Sequence, residues 1–298
     1  MEKLFNWDVQ DVNLHCGGLN RHGEYTVQDR VPGYKAIIRT DNKAVLGVVK
    51  EGFCSVTNET LMDLCTLIED TGAKVLSHGE FGEGRKVYIQ FDSDLMPRDT
   101  ISELAKDEVQ SKLVLANGHG GSLSFSLLST LVRIICENTF TTAMSEGDKL
   151  FRFKHTISIK ERMSEVEDYI IDVGRATSKV IDVFKDMSNK SLEQGFDAEK
   201  WFSRFFSLDK KPRQVTHNGH KAWTEAKYST RGEGILHKVM TAYDSEPLIK
   251  TTTWGLFNAV TNYIDHHANS KNDDYIMLGQ GARIKQQAYR KLHKLTYA

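Results

Sequence analysis

Residues 112–140, KLVLANGHGGSLSFSLLSTLVRIICENTF, set a polar, glycine-rich break between two apolar runs. The break is Asn117-Gly118-His119-Gly120-Gly121-Ser122. Short apolar runs bounded by glycine read as strands, so residues 113–116 and 123–128 are predicted to be strands joined by this segment. Three glycines let backbone N–H groups converge, and such nests can hold a phosphate, with His119 and Ser122 adding hydrogen-bonding groups. The segment lacks the lysine of a G-x-x-x-x-G-K-[ST] loop and is not a G-x-S-x-G elbow. The competing reading is a glycine-bulged connection whose Asn117 and His119 satisfy nearby backbone groups.

Either side of this segment the periodicity changes. Residues 1–33 are polar and glycine-rich with little periodic signal. Residues 34–40 and 44–50 are short β-rich runs joined by Thr40-Asp41-Asn42-Lys43, which predicts a hairpin. Thr57 or Asn58 suits the N-cap of a helix that places Leu61, Leu64, Cys65 and Ile68 on one face, with Gly72 at its end. Residues 74–78 and 85–92 read as a second hairpin around the glycines of 79–84. A linker at 96–99 leads into an acidic segment read as helical, and residues 149–159 read as a strand.

Beyond residue 160 the pattern is helical. Met163, Val166, Ile170, Val173, Val180, Phe184 and Met187 form a heptad-like stripe, broken by Thr177. It suits a long helix packed on its own domain or a dimeric coiled coil. Further helices are predicted over 197–207, 220–228, 254–267 and 280–295. The expected architecture is α+β. Antiparallel β-hairpins pack on a helix in a domain of residues 1–159, and a mostly helical basic region with one long heptad-like helix spans 160–298.

Charge is unevenly distributed. Residues 200–298 hold 16 Lys and Arg against 8 Asp and Glu, a balance of +8, leaving 23 against 32, or −9, in residues 1–199. No acid follows Asp274. A basic end on a near-neutral chain points to a polyanion partner, or to two halves that neutralise each other. The candidate phosphate contacts are Arg133, Arg152, Lys154, Arg204, Lys210, Lys211, Arg213, Lys221, Lys227, Arg231, Arg283, Lys285, Arg290, Lys291 and Lys294. Trp223 and Tyr228 are candidates to stack a base, with Phe205 and Phe206 nearby. Mixed cations and aromatic faces suit a single strand better than a duplex. The same aromatics also suit a helical core.

Other chemistries have less footing. His217 and His220, and His266 and His267, lack a third ligand at metal-site spacing, so no metal and no cofactor is expected. Cys16, Cys54, Cys65 and Cys136 form no C-x-x-C pair, which suits a reducing cytoplasm. No signal peptide or transmembrane run is visible, so no membrane partner is expected.

Four segments together resemble a phage- and plasmid-borne family described only as a domain of unknown function. They are Ala44-Val45-Leu46-Gly47-Val48-Val49, residues 117–122, Arg133-Ile134-Ile135-Cys136-Glu137-Asn138-Thr139 and Lys154-His155-Thr156. Residues 254–266, WGLFNAVTNYIDH, resemble the C-terminal motif of that family's longer members. Asn117, His119, Gly120, Gly121, Ser122, Asn138 and His155 are thereby marked as motif residues. The family's central motif usually reads His-Asp-Gly-Ser, and Gly120 stands here in place of the acid. A metal ligand or base at that position would be lost, whereas a structural turn tolerates glycine. The resemblance implies a mobile-element product in a bacterial cytoplasm, working on or near nucleic acid. A looser likeness of architecture links hairpins on a helix plus a basic extension to phage single-strand annealing proteins. The leading expectation is a non-enzymatic, oligomeric protein that binds or anneals single-stranded DNA in recombination or replication. The alternatives are an enzyme built around Asn117, His119, Ser122 and His155, and an interaction protein that blocks a host defence factor.

Overall fold

A computed structural model describes residues 4–135, 138–142, 152–153, 166–208, 214–217, 220–223, 228–268 and 272–298. The architecture is α+β, with antiparallel strands first and a helical carboxy-terminal half. Contacts divide the chain into two compact units. One comprises Met1–Pro97, Ser111–Thr130 and Thr142–Ser178; the other comprises Arg98–Gln110, Leu131–Thr141 and Lys179–Ala298.

The first unit opens with an antiparallel sheet of β1 (Val9–Leu19), β2 (Tyr25–Arg39) and β3 (Val45–Lys50), in that order. The expected hairpin is the β2–β3 pair. Asn42 turns it by accepting from the Ala44 amide, and Lys43 adopts φ 62°. Helix α1 (Asn58–Asp70) starts where expected, with the Thr57 hydroxyl accepting from the Thr60 amide. Leu61, Leu64, Cys65 and Ile68 are buried, so one stripe of α1 supplies the core. Gly72, with φ +91°, follows the C-cap in the left-handed region that glycine favours. Strands β4 (Lys74–Phe81) and β5 (Lys86–Asp92) form the second expected hairpin.

The region after Pro97 departs from expectation. The acidic segment is not a helix but β6 (Arg98–Ser102) turning into β7 (Asp107–Gly118). Its acids fall on both faces of the ribbon: Asp107 is buried with Val109, while Glu108 is partly exposed. Next come β8 (Phe125–Arg133), β9 (Thr139–Thr142) and β10 (Arg152–Phe153). Within the first unit the strand order is β10-β8-β7-β5-β4. Leu113, Leu115, Phe91, Phe125 and Ile37 fill its core beside α1. Most of residues 149–159 lies outside the described residues.

Helix α2 (Val166–Asn189) is the predicted heptad-like helix. Its stripe faces the chain's own cores: Ile170 and Val173 in the first unit, Ile181, Phe184 and Met187 in the second. That supports the packed-helix reading over a coiled coil. Thr177 interrupts the stripe, and its buried hydroxyl is satisfied by donating to the Val173 carbonyl.

The second unit adds α3 (Ala198–Phe205), the β11 (Gln214–His217) and β12 (His220–Trp223) hairpin, α4 (Thr230–Asp244), α5 (Thr253–Asn262) and α6 (Gln280–Thr296). Single π-turns, Tyr263–His267 and Asp274–Leu278, lie between α5 and α6. Where a helix was expected at 220–228, residues 220–223 form strand β12, paired Gln214↔Trp223 to His217↔His220, and 224–227 lie outside the described residues. Phe184, Phe202, Trp254, Phe257, Ala288 and Leu292 anchor this unit's core. Among the described residues no helix is long and apolar enough to cross a membrane.

Candidate functional site

The motif segments meet in pairs. In the first unit, residues 44–49 lie directly on 117–122. A Cβ on Gly47 would come 2.6 Å from the Gly120 Cα, and one on Gly120 would come 2.5 Å from the Leu46 carbonyl oxygen. Glycine is required at both positions because the two backbones touch. The acid that the related motif carries has no room at Gly120.

This contact closes over His119, which is fully buried. Asn58 donates through Nδ2 to the Trp7 carbonyl at 3.0 Å, so its Oδ1, 3.1 Å from His119 Nε2, is an acceptor. His119 is therefore the neutral Nε2–H tautomer, and its Nδ1 faces the Asn117 amide nitrogen at 3.3 Å. Asn117 also donates to the Val56 carbonyl at 3.1 Å. The Trp7 ring meets His119 edge-on at 5.4 Å, and the Arg39 guanidinium lies 3.9 Å from the centroid of the same indole. Nε2 of His119 thus ties the end of β7 to the start of α1, while Nδ1 is engaged locally by Asn117. Gly121 adopts φ +75° at the turn, and Ser122 is exposed. The glycine-bulged structural reading is the one this geometry favours.

The second unit holds the other motif pair. Arg133, at the end of β8, donates from Nε to Asp107 Oδ1 at 2.7 Å and from its two terminal nitrogens to the Glu246 carboxylate. Asp107 Oδ2 accepts from Trp254 Nε1 at 2.7 Å. Lys285 donates to Asp265 Oδ1 at 2.7 Å and to Thr139 Oγ1 at 2.9 Å. Asp265 Oδ2 accepts from the Thr139 amide at 2.6 Å, and His266 Nε2 meets Asn138 Oδ1 at 3.1 Å. Burial pushes the Lys285 ammonium below the usual lysine range, while Asp265 opposes that shift. Arg133-Asn138-Thr139 and Trp254-Asp265-His266 are therefore two halves of one buried network. The neighbouring cavity, between Arg133, Asn138, Trp254 and Thr261, is about 10 Å³, far below what a substrate needs.

Two expected phosphate contacts are corrected by this network. Arg133 is 3% exposed and Lys285 0% exposed, each paired with a carboxylate of the same unit. Neither presents its charge to a ligand. Their pairing with Asp107, Glu246 and Asp265 was not legible in the sequence. One signal was present: Lys285 lies three residues from Ala282 and Ala288, on the apolar side of α6.

The remaining cations divide by exposure. Arg204, Arg231, Arg283, Arg290, Lys291 and Lys294 are exposed, and among the described residues none of them is in an ion pair. At 100° per residue, Arg283, Gln287, Arg290, Lys291 and Lys294 fall within an arc of about 100° on α6. Lys291 reaches 5.2 Å from the Phe205 ring centroid, next in sequence to Arg204. Phe205 is buried, while Phe206 and Tyr228 are half-buried. Arg152, Lys221 and Trp223 are placed as strand backbone. Lys154, His155, Lys210, Lys211, Arg213 and Lys227 lie outside the described residues.

The family described as "Domain of unknown function (DUF932)" matches residues 45–294. No curated protein matches the chain, and no solved structure does.

Proposed function

We propose that this chain, which belongs to the DUF932 family, is a non-enzymatic protein that binds single-stranded DNA along α6. The observation carrying this reading is the exposed stripe Arg283, Arg290, Lys291 and Lys294 on a chain end that bears no acid after Asp274. From Arg283 to Lys294 the stripe runs about 16 Å along the helix, the length of roughly five phosphates at single-strand spacing in B-form geometry. Arg204 and Arg231 supply further exposed cations, and Phe206 and Tyr228 are partly accessible for stacking. The resemblance to mobile-element proteins supports a role in phage or plasmid recombination or replication. An enzyme centred on the 117–122 loop is less well supported, because His119 is buried and both its ring nitrogens are engaged.

The test is a salt titration of a labelled oligonucleotide on nuclease-treated protein. Four neutralised phosphates predict a slope of log K against log salt near −2.8 for a single strand, about a 50-fold loss between 50 and 200 mM. Replacing both Arg290 and Lys294 by Gln removes two of the four cations and reduces the slope by about 1.4. Absence of binding at low salt, or affinity indifferent to salt, overturns the reading. Tighter binding to duplex overturns the strand assignment.

A further inference from the structure

Helix α3 ends on two adjacent phenylalanines that go different ways. Ser207 takes the left-handed conformation at φ 55°, and the Leu208 amide donates back to the Ser203 carbonyl at 2.9 Å. The chain turns there with Phe205 in the core and Phe206 half-buried. The two rings stand edge to face at 4.8 Å, and Phe206 meets Tyr263 in the same way at 5.4 Å. Tyr263 opens the π-turn Tyr263–His267 and is also half-buried. Four cations adjoin this pair. Lys291, at one margin of the basic arc of α6, lies 5.2 Å from the Phe205 ring centroid, and Arg204 precedes Phe205 in the chain. From α4, Lys238 donates to the His267 carbonyl at 3.3 Å, where the π-turn ends. Arg231 stands two helical turns before Lys238, within about 20° of it around α4. It acts on the Tyr263 phenol: burial and Tyr275 push that group up, and Arg231 pulls it down. Glu233 is turned away from Arg231 by about 200° around the same helix. All four cations are exposed, and none is in an ion pair among the described residues.

We infer that Phe206 and Tyr263 form a base-stacking subsite, in which one unstacked base of the bound strand lies on the accessible part of the Phe206 ring. The inference rests on the single-strand reading of α6 and adds to it the place where a base, rather than a phosphate, is held. The phosphates on either side of that base meet Lys291 and Arg204 at the α6 end, and Arg231 and Lys238 at the α4 end. It is the conjunction that selects the occupant. An acidic peptide would use the four cations and leave the rings idle, and a duplex offers no unstacked base. A single strand brings both a π-face and a charge on each side of it. Lys291 belongs at once to the α6 arc and to the Phe205–Phe206–Tyr263 chain of ring contacts. The strand therefore leaves the stripe at Lys291 and crosses the aromatic pair toward Arg231. Stacking reads the face of a base and not its edge, so the subsite accepts any sequence.

The test compares a labelled oligothymidylate with an abasic strand of the same length, on nuclease-treated full-length protein at one low salt concentration. Wild type is expected to bind the oligothymidylate roughly ten-fold or more tightly than the abasic strand. Phe206→Leu, which keeps an apolar side chain against Phe205, is expected to lose that preference. Its affinity for the abasic strand and its salt slope stay as in wild type, whereas Phe206→Trp retains the preference. Melting and circular dichroism check that each variant is folded, and the wild-type comparison of the two strands decides the matter even if Phe206→Leu is not. Equal wild-type affinity for the two strands overturns the subsite and leaves the phosphate reading of α6 standing. A folded Phe206→Leu chain with wild-type preference overturns it as well. So does one whose salt slope falls, since the ring would then be supporting phosphate contacts. A wild-type chain that binds neither strand overturns the α6 reading and the subsite together.

Discussion

Replacing Asp265 by Asn tests whether the Lys285 network is the electrostatic centre of the second unit. The substitution keeps the shape and retains an oxygen for the Thr139 amide, which now sits 2.6 Å from Asp265 Oδ2. What it removes is the negative charge 2.7 Å from the Lys285 ammonium, a side chain with no solvent exposure. Breaking one partner of a buried pair costs about 3–5 kcal/mol, since the remaining charge is neither hydrated nor compensated. The lysine limits that cost by losing its proton, each pKa unit being worth about 1.4 kcal/mol. The sign follows: Lys285 is already held below its ordinary value by burial. The unfolded chain therefore binds more protons between the two pKa values, and this group's contribution to stability rises with pH there. The defect in Asp265→Asn should be smaller at pH 9 than at pH 6. Adding Lys285→Met removes the stranded charge, so the double variant should recover most of the loss, to within about 1–2 kcal/mol of wild type. Urea unfolding at both pH values reads all of this. A single variant that loses under about 1 kcal/mol, or a double variant as unstable as the single, refutes the reasoning.

Other expectations follow from the same structure. Gly120→Asp restores the acid of the related motif but drives a Cβ to 2.5 Å from the Leu46 carbonyl, so thermal unfolding should show a loss of at least about 1–3 kcal/mol. His119→Ala strands the buried Asn58 and Asn117 groups and opens a void beside Trp7, and urea unfolding should show about 2–4 kcal/mol lost. Lys285→Met should leave oligonucleotide affinity unchanged at a given fraction folded, while Arg290→Gln weakens it, since only the second side chain is exposed. Burial pushes the Tyr289 phenol up to about 12, so its contribution is intact below the unfolded value of 10 and is lost as pH rises toward 12. Tyr289→Phe should shift the midpoint of alkaline unfolding upward.

Sequence pattern made visible those elements whose own residues carry a period. α1 announces itself by Thr57 at its cap and by Leu61, Leu64, Cys65 and Ile68 on one stripe; α2 does so by its heptad-like run. Residues 15–30, where β1 and β2 pair, were silent because glycines at 17, 18 and 23 interrupt the run and its side chains lie largely in solvent, so no sustained apolar-in, polar-out period is imposed there. The acidic segment after the 96–99 linker misled: it was read as helical, whereas it forms strands in which Asp107 points inward to Arg133 and Trp254. Residues 220–223 belong to a strand through pairing with 214–217, a contact that local propensity does not encode.

The same division runs through the candidate sites. The sequence by itself settled which residues are chemically unusual: the glycines and histidine of 117–122, Arg133 with Asn138 and Thr139, the motif ending in Asp265-His266, and a chain end without acids. It settled this because residue type and short-range order are properties of the chain. Only the tertiary structure decided what those groups do. It seated Gly120 on Leu46 and enclosed His119 between Asn58 and Asn117. It also matched Arg133 to Asp107 and Glu246, and Lys285 to Asp265, while leaving Arg283, Arg290, Lys291 and Lys294 in solvent. Whether a cation is spent inside or offered outside depends on a carboxylate brought close by folding, and in the Arg133–Glu246 pair the partners stand 113 positions apart in the chain.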